Sequence, residues 1–277
     1  MIRNTAYGLV FYQFATLLLH PERSEGLAPH AEVQHAIFTR LGGQSQGAFR
    51  SLNVGSLVGD DPAVVHANHE LIWASLSLQA AAAVTARQVH GARVGVVGRS
   101  DGGSVVPSTD ALISAEPGVA LLLRFADCVP LVLYDPRRQA IGLAHAGWRG
   151  TVAGVVPNTV AALQSAFGCH PADLIAGVGP AIGPCCYEVG PDVVAEVEGV
   201  FGKGTALLSA QPDRAVHLDL PAAVHRQLQL CGLVQIEHSG LCTSCRTDEF
   251  FSHRAEHGRT GRFAAVVALR GERREGQ

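Results

Sequence analysis

The stretch VALLLRFADCVPLVLYDPRRQAIGLAH, residues 119–145, decides the fold. It reads as three short apolar runs, 119–124, 131–134 and 140–145, with the last two joined by a hairpin loop at 135–139. No helical period separates them. Strands thus arrive in pairs between helices rather than in strict β-α-β alternation. That pattern predicts an α/β chain of the α+β type, a single layered domain with a mixed β-sheet flanked by helices.

The flanks agree. Upstream, residues 33–39 read as a strand, and Asp60-Asp61-Pro62 starts a helix that runs to about Ser77 with Val65, His69 and Trp73 in register. Residues 83–89 and 93–97 alternate as strands. Downstream the pattern predicts helices over 151–167, 191–200 and 221–231, and strands over 174–178, 234–237 and 264–269.

Residues 1–30 stand apart. Arg3 and the apolar run from Leu9 to Leu19 outline a signal peptide, but Tyr12, Gln13 and Thr16 interrupt the run. His20-Pro21-Glu22-Arg23 stands where a small-residue cleavage site belongs. The segment is expected to be a poorly ordered N-terminal extension, with one domain over 31–270 and a polar tail over 271–277.

Composition narrows the function. Hydrophobic residues make up 47% of the 277 and charged residues 16%, which describes a globular chain with ample core. A net charge of −3 gives no basic face for nucleic acid, and no run is long enough to span a membrane. The sole lysine is Lys203, which disfavours Schiff-base chemistry and a Walker-type phosphate loop. Seven cysteines in a chain this long fit a reducing cytoplasm better than a disulfide scaffold.

Three strand ends carry metal-capable side chains: His90 in Gln88-Val89-His90-Gly91, Cys128 in Ala126-Asp127-Cys128, and His145 in Ala144-His145-Ala146-Gly147-Trp148-Arg149-Gly150. Two imidazoles and a thiolate suit a zinc with its fourth position open. Their wide spacing fits two core histidines and a buried cysteine as well. Asp127 is a candidate to orient a ligand histidine or move a proton, provided the backbone is irregular there. The turn at Gly147 leads into a helix start that, with Arg149, favours an anion such as phosphate, although its glycines also fit a plain tight turn. Arg40 beside Gly42-Gly43 is a second candidate cation. Cys242-Thr243-Ser244-Cys245 and Cys185-Cys186 match neither a zinc finger nor a thioredoxin setting and are assigned to packing or a pocket wall.

With Thr109-Asp110-Ala111-Leu112, the run from Gly179 to Val189 and Phe250-Phe251-Ser252-His253-Arg254, these motifs occur in an order that resembles the laccase-domain family. That family is also called multicopper polyphenol oxidoreductase, purine nucleoside phosphorylase or peptidoglycan editing factor. The resemblance covers roughly residues 33–270. It implies a fold related to cysteine-hydrolase toxins and zinc held at His90, Cys128 and His145. It further implies phosphorolysis of adenosine, inosine, guanosine and methylthioadenosine, and deamination of adenosine. Purine nucleosides and phosphate are then the partners, with Arg40, Asn53, Gln88 and Arg149 expected at phosphate or ribose. A trinuclear copper cluster is not expected, since no His-x-His occurs and the only methionine is Met1, but copper fits a single His₂Cys site. A metal-free hydrolase or deamidase using Cys128 and His145, and a role in editing cell-wall precursors, are the competing expectations.

Overall fold

The apolar runs at 119–145 are strands, but they do not share one sheet. The structure, a computed structural model, describes residues 1–18, 33–212 and 215–270. Its chain begins β1 (Ile2–Ala6), β2 (Leu9–Gln13), α1 (Ala15–Leu18), β3 (Val33–Phe38), α2 (Pro62–Leu76), β4 (Ala83–Ala86), β5 (Val94–Val96) and β6 (Val105–Val106). It continues β7 (Ala111–Ser114), β8 (Ala120–Phe125), β9 (Val129–Asp135), β10 (Ala140–Ala146), α3 (Trp148–Val152), α4 (Val155–Phe167) and β11 (Ile175–Val178). It ends β12 (Glu188–Val189), α5 (Pro191–Phe201), β13 (Leu208–Ala210), β14 (Val216–Leu218), α6 (Leu220–Leu230), β15 (Gln235–His238) and β16 (Phe263–Leu269).

Two large mixed sheets result. One has seven strands in the order β1-β2-β3-β16-β8-β4-β6, the other six in the order β15-β11-β9-β10-β7-β5. A small sheet, β12-β14-β13, sits apart. Strand alternation shows how they stack, because successive side chains point to opposite faces. Leu121, Leu123 and Phe125 of β8 join Val132 and Tyr134 of β9 and Ile141 and Leu143 of β10 in one buried cluster between the sheets. Leu122 and Val266, on the outer face of the seven-stranded sheet, pack on Ile72, Trp73 and Leu76 of α2. Leu131, Leu133 and Ala144 face the other way, onto Val160 and Leu163 of α4 and Val224 and Leu228 of α6. The order of layers is helix, sheet, sheet, helices. Each large apolar side chain fully buried there stabilises by about 1.5–3 kcal/mol.

The expected mixed sheet flanked by helices is therefore present, doubled. One predicted helix is two: α3 and α4 are separated at Gly154, whose φ of +87° breaks the helical path.

The largest correction is at the N-terminus. Residues 1–18 are not an extension but the edge of the seven-stranded sheet, with β2 pairing β3 through Phe11 and Tyr12. Leu9 and Phe14 are fully buried, and the Phe14 ring lies so close to Gly177 that a Cβ there would come within 2.3 Å of it. The polar residues that break the apolar run have partners. Tyr12 Oη donates to Glu249, Gln13 donates to the His35 carbonyl, and the Thr16 N–H and hydroxyl donate to Glu237. Residues 19–32 and the predicted tail at 271–277 lie outside the described residues. Among the described residues, no helix is long and apolar enough to cross a membrane.

Glu237 ties this segment down, with Oε1 2.8 Å from the Met1 ammonium and Oε2 2.9 Å from the Thr16 N–H. Burial opposes its charge, but these donors win and bring its carboxyl from 4.5 down to about 2. A depressed carboxyl stabilises the fold above its unfolded pKa and loses that contribution as pH falls through the folded value. Acidification from pH 4.5 towards 2 should therefore loosen residues 9–17, read by amide hydrogen exchange. In Glu237→Gln they should exchange faster at neutral pH and show little further change over that acid range.

Candidate metal centre

Two of the three expected ligands lie where the chain passes from one large sheet to the other. His90 is in the connection from β4, in the seven-stranded sheet, to β5, in the six-stranded sheet. Cys128 is in the connection from β8 to β9, which makes the same crossing. His145 comes from the penultimate position of β10. It shares a strand face with Ile141 and Leu143 and so turns between the sheets, its ring 5.5 Å from Phe125.

The three side chains converge, with their ligand atoms all within 4.8 Å of one another. The imidazole rings meet edge to face at 4.8 Å between centroids. His90 is exposed, Cys128 half-buried and His145 buried, so the cluster is open on the His90 side. Both crossings need unusual backbone: His90 has φ of +60° and Asp127 has φ of +80°.

Behind the cluster stands Asp110, fully buried, and its carboxylate is saturated. Oδ1 accepts from His90 N–H and His145 Nδ1, both at 2.9 Å, while Oδ2 accepts from Gly91 N–H at 2.8 Å and Val89 N–H at 3.1 Å. One side chain thus folds the His90 loop and sets the tautomer of His145. A carboxylate can only accept, so Nδ1 carries the proton and Nε2 is left for a metal. Burial works against the Asp110 charge, but these donors hold it below the ordinary carboxylate range.

Cys128 and His145 favour each other's charged forms. Burial disfavours the thiolate, yet the neighbouring imidazoles outweigh it and bring the thiol from 9.0 to about 6. Burial likewise disfavours the imidazolium, while Cys128 and Asp110 raise His145 to about 9. A thiolate backed by two imidazoles is the donor set that zinc favours.

Glycines make the close approach possible. A Cβ on Gly147 would sit 2.9 Å from Cys128 Sγ and 3.2 Å from His90 Cδ2. A Cβ on Gly150 would sit 2.8 Å from the Gly91 carbonyl oxygen. Gly147→Ala should push the thiolate and His90 off their common centre. We expect zinc affinity to fall about 10-fold or more, as for loss of an outer partner, in competition titrations with a chelator of known affinity.

Several expected site residues have other work. Asp127 does sit on irregular backbone, but it orients no histidine. Its Oδ1 accepts from Thr243 Oγ1 and its Oδ2 from Arg254 N–H, each at 2.7 Å. Asp110 has the role expected of Asp127. Asn53 is fully buried, with Oδ1 accepting from Gly55 and Arg262 N–H and Nδ2 donating to Asp60, so it braces a loop and does not face a ligand. Gln88 exchanges two hydrogen bonds with the backbone of Arg124. Arg40 pairs with Glu256 at 3.0 Å, donates to the carbonyls of Arg50 and Thr247 and lies over the Phe251 ring. All three are held in place by other parts of the fold. Arg149 differs. It is exposed in the first turn of α3, its guanidinium 4.4 Å from the Trp148 ring centre.

Three further residues near the centre were not named as site candidates in the sequence: Tyr187, Arg254 and Arg262. Burial raises the Tyr187 phenol, with Cys128 adding to the effect, and Arg254 lies 5.2 Å over its ring. Arg262 is held by the carbonyls of Thr260 and Gly261; burial lowers its pKa, while Cys128 and Asp127 act the other way.

A sequence model described as multi-copper polyphenol oxidoreductase laccase matches residues 34–270, nearly the whole described domain. The chain belongs to this family. Within it, the chain is 38% identical over 257 residues to a protein named purine nucleoside phosphorylase YlmD from Geobacillus stearothermophilus, covering 89% of this chain and 94% of that one. It is 42% identical over 243 residues to purine nucleoside phosphorylase SCO2081 from Streptomyces coelicolor, covering 85% and 95%. The crystal structure of YlmD from Geobacillus stearothermophilus superposes with a TM-score of 0.86 at 36% identity, covering 97% of this chain and 98% of that chain. A Bacillus licheniformis protein described as hypothetical protein YfiH gives 0.87 at 31% identity, covering 97% and 99%. Among the described residues, the other metal-capable group is made of four cysteines, without a histidine.

Proposed function

We propose that this chain is a zinc-dependent purine nucleoside phosphorylase acting on adenosine, inosine, guanosine and methylthioadenosine, and that the same centre deaminates adenosine. The observation that carries the proposal is the convergence of His90, Cys128 and His145 on one point, with Asp110 fixing two of them from behind. The relatives named purine nucleoside phosphorylase supply the substrate class. The set offers ligands for one ion, which does not support multicopper chemistry, and a thiolate with two imidazoles is a donor set that zinc takes. When bound, zinc supplies a Lewis acid and a water of lowered pKa.

The chain's own residues do the rest. Asp110 keeps His145 in one tautomer, so that ligation costs no rearrangement. Arg149, exposed in the first turn of α3, offers phosphate a cation, and only a phosphate placed in line with the sugar's anomeric carbon can displace the base. Tyr187, kept protonated by its burial, offers a neutral donor to the departing purine. Seven free thiols suit a reducing cytoplasm.

A second reading has its own support. A cysteine beside a histidine that favours its thiolate is the arrangement of a cysteine hydrolase, which needs no metal. His90 separates the two, being a ligand in the first reading and dispensable in the second. Purified protein should convert inosine and phosphate to hypoxanthine and a sugar phosphate, read by mass. A chelator or His90→Ala should abolish this, and zinc should restore the chelated enzyme. Turnover that survives both treatments would leave the metal-free reading standing. Adenosine converted to inosine without phosphate tests the deaminase claim separately.

A further inference from the structure

A second cluster lies outside this centre. The loop after β11 carries Cys185 and Cys186, and the loop after β15 carries Cys242 and Cys245. The loops run side by side: Ala181 bridges Cys242, Ala181 N–H donates to the Leu241 carbonyl, and Thr243 N–H donates to the Ala181 carbonyl. All four sulfur atoms lie within 4.8 Å of one another. Cys245 Sγ is 3.5 Å from that of Cys185 and 3.4 Å from that of Cys186.

We infer that these four thiols are a structural zinc site, distinct from the centre at His90, Cys128 and His145. A tetrahedral ion with zinc–sulfur bonds of about 2.3 Å sets its sulfurs about 3.8 Å apart. The spacing here brackets that value, so binding needs only small side-chain movements. A disulfide would join two of the thiols and leave two. Four thiolates also leave no open position, which marks a structural rather than a catalytic ion. Gly183 N–H donates to Cys242 Sγ at 3.2 Å, the backbone contact that commonly supports a ligating sulfur. Cys185 and Cys242 line a groove of about 480 Å³, so the site has an entry path from solvent.

The place of the cluster gives it a task. Next to Cys186 are Tyr187 and Glu188; next to Cys242 is Thr243, which donates to Asp127. Arg254, further along the second loop, closes the wall by donating from its backbone to Asp127 and from its side chain to the Glu188 carbonyl. An ion between the loops would staple the wall of the active centre.

The test uses the full chain, purified under reducing conditions without added metal, with bound zinc counted by elemental analysis. Wild type should carry two zinc ions per chain. Cys245→Ser should keep one, lost only on further change of Cys128, and Cys128→Ala should keep the other. Because a serine variant can fail to fold, wild type should also be loaded with ¹¹³Cd and read by NMR. Two resonances are expected, one at the strongly deshielded position of four thiolates and one nearer that of a single thiolate with two imidazoles. A single ion per chain that vanishes in Cys128→Ala, with one cadmium resonance of the mixed kind, would overturn the inference and leave the phosphorylase reading intact. So would a disulfide among these four cysteines in freshly reduced protein.

Discussion

Cys128→Ala should strip the bound zinc from the His90–Cys128–His145 centre and lower phosphorolysis by at least ~100-fold, since losing a mere outer partner of a ligand already costs about 10–100-fold. The thiolate is the only anion in the set. Without it, a dication would rest on two neutral imidazoles in a partly buried site, where charge is poorly compensated. The fold should survive, because Cys128 is half-buried and its removal leaves a small gap. Elemental analysis and a steady-state assay on the same preparation decide the matter. An alanine variant that keeps zinc at this centre and turns over at the wild-type rate would mean the centre is misplaced.

Asp110→Asn should be nearly as damaging, although the side chain touches neither metal nor substrate. The carboxylate accepts four hydrogen bonds, from three backbone N–H groups and His145 Nδ1. An amide of the same shape keeps one acceptor oxygen and turns an NH₂ group towards donors. Each buried donor left unpaired costs about 1–3 kcal/mol, so the His90 loop should loosen. His145 also loses the partner that holds Nδ1 protonated, freeing it to present the wrong nitrogen. Zinc affinity should fall by about 10–100-fold in chelator competition. Affinity unchanged in a folded variant would show that the metal, where bound, does not depend on this orientation.

Much of this arrangement was legible in the sequence, for identifiable reasons. Paired apolar runs without an intervening helical period gave α+β layering, and glycine or proline beside His90, Cys128 and His145 marked the strand ends. The doubling of the sheet was not legible, since a strand with both faces buried, such as β9, reads the same whether it meets a helix or another sheet. The N-terminal hairpin reads as a poorly ordered extension because Tyr12, Gln13 and Thr16 interrupt its apolar run. The partners of Tyr12, Gln13 and Thr16 lie up to 237 residues away, beyond any local pattern. Asp127 is the candidate in the sequence because it adjoins Cys128, whereas Asp110 reaches His145 across paired strands. The signal was present in Thr109-Asp110-Ala111-Leu112, among the motifs that carry the family resemblance. The four cysteines read as packing or a pocket wall because two loops about sixty positions apart have to be laid alongside each other before they form one cluster.

Donors drawn from the two crossings and from β10 belong to no single layer, so the pocket is a hinge pin through both halves of the sandwich. Sliding one half over the other by a fraction of an ångström alters every donor separation at once. Repacking at a distance, for instance by trimming Phe263 where it stacks on Phe125, would therefore be felt as a change in how tightly the cation is gripped.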